Sequence, residues 1–216
     1  MSPLQTEQKI RQLGSLAAIS LLSIGLLSGT DHVVSLVLPS SLKVIAYIRI
    51  PSLLFCFLLW FAFGRQRALH FPVLLSQWRG VMLPAALWLV PTAFLTLAHQ
   101  VWVPYISGPI DIIAFMLTGL LAEEFLFRGA IYDLFLSASG HKAGTKLAIG
   151  YSAIFFGLSH FQYHHFALTQ ASVAQVLYTM VLGVLLGMIR GRSGSIWPCV
   201  LVHMAGNSFT LFANLM

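Results

Sequence analysis

Apolar runs of roughly twenty residues succeed one another along this sequence, interrupted only by short stretches rich in polar residues, glycine and proline. Wound as a helix, such a run matches the hydrocarbon core of a bilayer, and a helix satisfies its own backbone where water is absent. The runs lie near Leu13–Leu27, Val44–Phe63, Val81–Leu97, Ile110–Leu136, Leu147–Phe161, Val173–Ile189 and Ile196–Leu215. They predict an all-α protein, a polytopic transmembrane helical bundle of about seven spans. Residues 1–216 are then expected to form a single integral membrane domain, with no length left for a soluble one. Composition agrees: 8% of residues are charged, against about a quarter in soluble domains.

The formal charge of +6 does not point to nucleic acid, because the 12 Lys and Arg residues are scattered between apolar runs and form no stripe. The lipid bilayer is the expected partner, and the charges read as topology signals. With a cytoplasmic N-terminus, Lys9, Arg11, Arg65, Arg67, Arg79, Lys142, Lys146, Arg190 and Arg192 fall on the cytoplasmic side, and the opposite loops hold little besides Lys43. Arg49, near a segment end, is expected to snorkel to the interface. The first run follows Lys9 and Arg11 as a signal sequence would, but no small-x-small cleavage site comes after it, so it is expected to remain as a span.

Other features read as architecture. Cys56 and Cys199 sit in apolar runs without metal or redox spacing, as small core residues do. Gly183, Gly187 and Gly191 recur every fourth residue and put a smooth ridge on one helix, which permits close approach of a neighbour. Pro84, Pro91 and Pro198 are expected to kink spans. Trp60, Trp78, Trp88, Trp102 and Trp197 mostly fall near segment ends and read as interfacial anchors. Stretches such as Ser28 to Asp31, Pro39 to Ser41 and Gly191 to Gly194 read as breaks between segments.

Three clusters break the apolar pattern and carry the candidate chemistry. In the first, Glu123, Glu124 and Arg128 lie inside the 110–136 run. Each charge near a bilayer centre opposes insertion by roughly 2.5–3.5 kcal/mol, so they must be paired, hydrated or neutralised within the bundle. On a helix Glu124 and Arg128 share a face, whereas Glu123 is rotated by about 100° from Glu124 and about 140° from Arg128. That predicts an internal Glu124–Arg128 pair and a Glu123 free to enter a polar cavity and exchange a proton. The second cluster is Phe156 and His160, one helical turn apart, and the third is His203 and Asn207, again one turn apart.

A carboxylate, two imidazoles and a carboxamide suit hydrolysis by activated water. The carboxylate takes a proton, a neutral histidine orients the water, and N–H donors hold an oxyanion. The i, i+4 pair His160 and His164 has the spacing of a helical zinc site. However, the segment is expected to end near Phe161, which leaves His164 and His165 facing solvent. The HExxH motif and a GxSxG nucleophile setting are absent.

At these residues the sequence resembles the CAAX-prenyl-protease and bacteriocin-processing (CPBP or Abi) family of intramembrane glutamic proteases, whose pattern is EExxxR, then FxxxH, then HxxxN. Here those are Glu123-Glu124-xxx-Arg128, Phe156-xxx-His160 and His203-xxx-Asn207. The resemblance covers residues 110–215, which it marks as the catalytic core. It implies a helical bundle with a polar intramembrane cavity and an endopeptidase acting without a cofactor. Glu123 would be the base, His160 would hold the water, and His203 with Asn207 would form the oxyanion site, supported by Glu124, Arg128 and Phe156. Members of that family act on prenylated C-termini, peptides or sorting-tail proteins; the short, compact chain points to a bacterial cytoplasmic membrane and to a membrane-anchored or hydrophobic protein or peptide as substrate. Two alternatives stand beside this reading. One is a Zn2+ peptidase with Glu123, His160 and His203 as ligands. The other is a non-enzymatic immunity or scaffold protein, or a carrier relaying protons through its buried carboxylates.

Overall fold

The computed structural model describes residues 3–39, 49–63, 75–97, 108–139, 141–164 and 166–213, and among these the regular structure is helical throughout. In chain order, α1 is Pro3–Val37, α2 Ile50–Phe63 and α3 Leu75–Leu97. Helix α4 runs continuously over 109–139 and contains two π-helical stretches, Ala114–Thr118 and Phe125–Ile131. Next come α5, His141–Ser159, extended by a 3₁₀ turn at His160–His164, then α6, Gln170–Ser193, and α7, Trp197–Ala213. Each expected apolar segment falls largely on a helix, although residues 44–48, 214 and 215 lie outside the described ones.

Several local expectations need correction. α1 does not break at Ser28 to Asp31 but continues to Val37. A single glycine costs a helix only about 1 kcal/mol, and the hydroxyl groups are absorbed by the turn before them. Ser20 bonds Leu16 O at 2.9 Å, Ser23 bonds Ile19 O at 2.8 Å, and Thr30 bonds Leu26 O. Pro198 kinks nothing, because it is the second residue of α7, where its missing N–H is not needed. Pro84 and Pro91 do lie inside α3.

Nor are Trp60 and Trp88 interfacial anchors. Both are buried, each packed over a glycine of another helix: Trp60 over Gly129 of α4, and Trp88 over Gly206 of α7. Trp78 and Trp197 are half-buried, and Trp102 lies outside the described residues.

The glycine ridge of α6 packs against α5. A Cβ at Gly183 would sit 2.8 Å from Ala153 Cα, and one at Gly187 would sit 3.2 Å from Ile149 Cγ2. The backbones are therefore too close for a larger residue at Gly183. Gly183→Val is expected to cost about 1–3 kcal/mol by overpacking, seen as a lower thermal midpoint in detergent. Gly194, with φ +70°, ends α6 in the left-handed conformation that glycine adopts without strain.

Polarity is inverted relative to a water-soluble protein. Leu83 and Phe94 on α3 are 61% and 71% exposed, while Glu124 and Arg128 are 0% exposed. Leu21, Leu58, Val90, Leu177 and Val181 are likewise exposed on the outer faces of their helices. An exterior of this kind suits lipid as solvent. By length and composition, Trp78–Thr96 and Gln170–Ser193 can cross a membrane, and Gly14–Leu26 and Ile50–Ala62 are shorter apolar helical stretches.

Buried polar groups tie α4 to its neighbours. Arg190, expected in a cytoplasmic loop, is instead buried in α6. Its NH2 donates to Asp133 Oδ1 at 2.9 Å, and its Nε donates to the Arg128 carbonyl at 3.0 Å. The Ser152 hydroxyl donates to the Phe127 carbonyl at 2.7 Å. Both carbonyls belong to the second π stretch, where the helix's regular ladder is interrupted, so their extra donors fix that stretch in place. Arg192 NH1 reaches the Gly80 carbonyl of α3 at 3.4 Å, tying the end of α6 to α3. Lys43, Arg65 and Arg67 lie outside the described residues. Cys56 and Cys199 are buried free thiols in the core.

Candidate active site

Helix α4 turns Glu124 and Arg128 into the centre of the bundle, where Arg128 NH1 lies 3.3 Å from Glu124 Oε1. The three guanidinium nitrogens find no hydrogen-bond partner among the described residues, and the group lies over the Phe156 ring at 4.1 Å from its centroid. Its cation is therefore held by charge and by the aromatic face. Phe156 also meets His160 edge-on at 4.8 Å and His203 at 5.8 Å between ring centroids. This one ring from α5 thus spaces the two imidazoles and backs the arginine.

His203 comes from α7 and is buried. Its Nδ1 hydrogen-bonds Glu124 Oε1 at 2.8 Å, a contact that helical spacing within α4 does not foretell. A carboxylate accepts, so Nδ1 carries a proton and Nε2 is the free edge of the ring. That edge faces Glu123, with Nε2 4.0 Å from Oε2. Glu124 consequently does more than neutralise Arg128, because it also fixes the orientation of His203. This is the carboxylate–histidine arrangement by which a second group sets a tautomer.

His160 closes α5. Its Nδ1 lies 2.8 Å from the Phe156 carbonyl oxygen, which can only accept, so this ring too presents Nε2 as its free edge. The ring lies within electrostatic reach of Glu123 and His203. A cavity of about 380 Å³ reaches this cluster, lined by His160, His203 and Asn207 together with Trp88, Tyr178 and Leu182. Its walls are mainly apolar, and among the described residues Glu123, expected to enter it, does not line it.

Of the sequence-predicted residues, Glu123, Glu124, Arg128, Phe156, His160, His203 and Asn207 are brought into one region by α4, α5 and α7. His164 is not part of it. The chain after Ser159 turns as a 3₁₀ helix, and His164 Nε2 bonds Gln175 Oε1 of α6 rather than facing solvent. His165 lies outside the described residues. Among the described residues, no three His, Cys, Asp or Glu side chains are arranged to hold a metal ion.

Two residues at the site escaped sequence reasoning. The Tyr163 hydroxyl lies 3.5 Å from Glu123 Oε1, and Arg49 NH1 donates to that hydroxyl at 3.2 Å. Arg49, half-buried, thus reaches towards the site through Tyr163. Tyr163 is three residues after His160, and in a 3₁₀ turn residues i and i+3 eclipse each other. The two rings accordingly meet at 5.5 Å. The sequence signal was present, but it becomes legible only once the α-helical period is abandoned after Ser159.

Helices throughout the described residues, an apolar exterior and a buried carboxylate–histidine cluster are the features of an integral membrane protein. Residues 106–209 match the model of the family described as Type II CAAX prenyl endopeptidase Rce1-like, and the chain carries a domain of this CAAX protease family. The matched segment contains every polar residue of the three motifs. No curated protein and no solved structure matches the chain.

Proposed function

We propose that this protein is an intramembrane endopeptidase that hydrolyses a peptide bond of a membrane-anchored or hydrophobic protein by activated water, in a bundle whose seven helices all cross a bacterial cytoplasmic membrane. The observation that carries the reading is the gathering of Glu123, His160 and His203 from three helices: His160, His203 and Asn207 line one cavity, and Glu123 approaches His203 Nε2 at 4.0 Å. The Glu123 carboxylate takes a proton from a water whose other hydrogen points at His160 Nε2. The resulting hydroxide attacks the scissile carbonyl, and as the tetrahedral intermediate collapses the C–N bond breaks, the leaving amine taking the proton held by Glu123. His203, held at Nδ1 by Glu124, and the Asn207 amide stabilise the oxyanion, with fixed dipoles acting in a low-dielectric site. Donation from His203 Nε2 requires the ring to carry both protons, and Glu124 is the partner such a ring needs.

The family description makes a prenylated CAAX peptide one natural substrate, and an unmodified hydrophobic tail the other. The test is cleavage of both, as quenched fluorogenic peptides, by the protein in liposomes. Cleavage of neither by an intact protein, with no membrane protein accumulating in cells that carry Glu123→Gln, contradicts the reading.

Zinc remains the alternative that chelation decides. Activity is expected to survive exhaustive chelator treatment, and loss with rescue by added zinc would give Glu123, His160 and His203 to a metal instead. A proton carrier is less well supported. Towards the Arg190–Asp133 end, Arg190 bonds the backbone carbonyl of Arg128 and not a titratable group of the cluster.

A further inference from the structure

We propose that Arg49 and Tyr163 form a positioning relay that holds the Glu123 carboxylate at the oxygen other than the one His203 approaches, so that the chain before the matched domain takes part in the reaction. The proposal rests on the reading of Glu123 as the base.

The direction of the relay follows from donor chemistry. Arginine has donors and no acceptor, so in the 3.2 Å contact the Tyr163 oxygen accepts from Arg49. The tyrosine's own proton is then available to Glu123 Oε1, 3.5 Å away. A cation behind a hydroxyl makes that hydroxyl a stronger donor. Glu123 is thereby approached at Oε1 by Tyr163 and at Oε2 by His203, whose Nε2 is 4.0 Å away. A carboxylate flanked at both oxygens has fewer directions in which to turn than one approached at a single oxygen.

Three otherwise unrelated features agree with this. Arg49, just before α2, has φ +58°, in the left-handed region that a non-glycine residue adopts only when its surroundings impose it. Its side chain lies against Gly119 of α4, where a Cβ would stand 3.3 Å from Arg49 Cδ. Its guanidinium also rests over the Tyr163 ring, 5.7 Å from the centroid. A charge meant for the interface would need none of these.

The relay is testable without knowing the substrate. Infrared spectra of the reconstituted protein, each variant recorded against its own Glu123→Gln counterpart, isolate the Glu123 band. Tyr163→Phe and Arg49→Met are each expected to shift that band, their combination to shift it no further than Tyr163→Phe alone, and Arg49→Lys to restore part of it. Thermal midpoints should stay near wild type in Tyr163→Phe. On whichever probe peptide is cleaved, kcat should fall by roughly 10- to 100-fold with KM unchanged. An unmoved band in Tyr163→Phe, or additive shifts in the double variant, overturns the relay. If Glu123→Gln abolishes cleavage while Tyr163→Phe leaves the band in place, the relay alone fails. Full cleavage by Glu123→Gln removes the catalytic reading itself.

Discussion

Glu123→Gln is expected to abolish peptide cleavage while leaving the protein folded. The amide has the size and shape of the carboxyl group but cannot accept the proton that water must lose. Loss of a positioned general base typically lowers rates by roughly 10²- to 10⁴-fold. Folding should survive because Glu123 is only half-buried and its contacts at Oε1 and Oε2 are long, 3.5 and 4.0 Å. The amide can still accept at one of them. The check is turnover of the fluorogenic peptides in liposomes, alongside a thermal melt of the same preparation. A variant that cleaves at the wild-type rate sinks the assignment, and one that is inactive because it has melted leaves Glu123→Asp, which keeps the base but shortens its reach, to separate the causes.

Arg128→Met should act in the opposite way, through stability first. Arg128 and Glu124 are both fully buried, and removing the arginine leaves the Glu124 carboxylate with only His203 to offset it. Breaking a buried pair from one side usually costs about 3–5 kcal/mol, far more than the pair itself contributes. The expected result is poor recovery of folded protein and a sharply lower thermal midpoint. Replacing both partners, with Glu124→Gln added to Arg128→Met, should recover most of the lost stability. Activity should stay low, because His203 would then lose the carboxylate that fixes its orientation. Equal stability of the single and double variants would show that the carboxylate does not depend on its pairing with Arg128.

These two expectations separate what α4 does with adjacent glutamates. Their side chains leave the helix about 100° apart, so one can be consumed by internal pairing while the other is left to face Tyr163 and His203. The sequence made that division readable, because an arginine four residues after Glu124 shares its face and no such partner exists for Glu123. It also made the helical class readable, since every long apolar run needs a self-sufficient backbone in lipid. The glycine ridge of α6 was equally plain, because small residues every fourth position leave one face bare, and Ala153 and Ile149 of α5 fill it.

What the sequence by itself determined, then, was everything governed by short-range period and by the cost of polar groups in an apolar solvent. That covers the helices, the family-bearing motifs and the Glu124–Arg128 pair. What only the tertiary structure decided were contacts between residues 40 to 114 positions apart: Tyr163 with Glu123, His203 with Glu124, and Arg49 with Tyr163. The same holds for the inward turn of Arg190 onto Asp133 and for the burial of Trp60 and Trp88 over glycines of other helices. The physical reason is that a side chain's helical phase says which way it leaves its own axis, whereas its partner is set by how neighbouring helices are rotated and by how far they slide along one another. Departures from the α period, the π stretch at Phe125–Ile131 and the 3₁₀ turn at His160–His164, re-aim the side chains there. They arise from packing and from donors on neighbouring helices, which no local stretch of sequence contains.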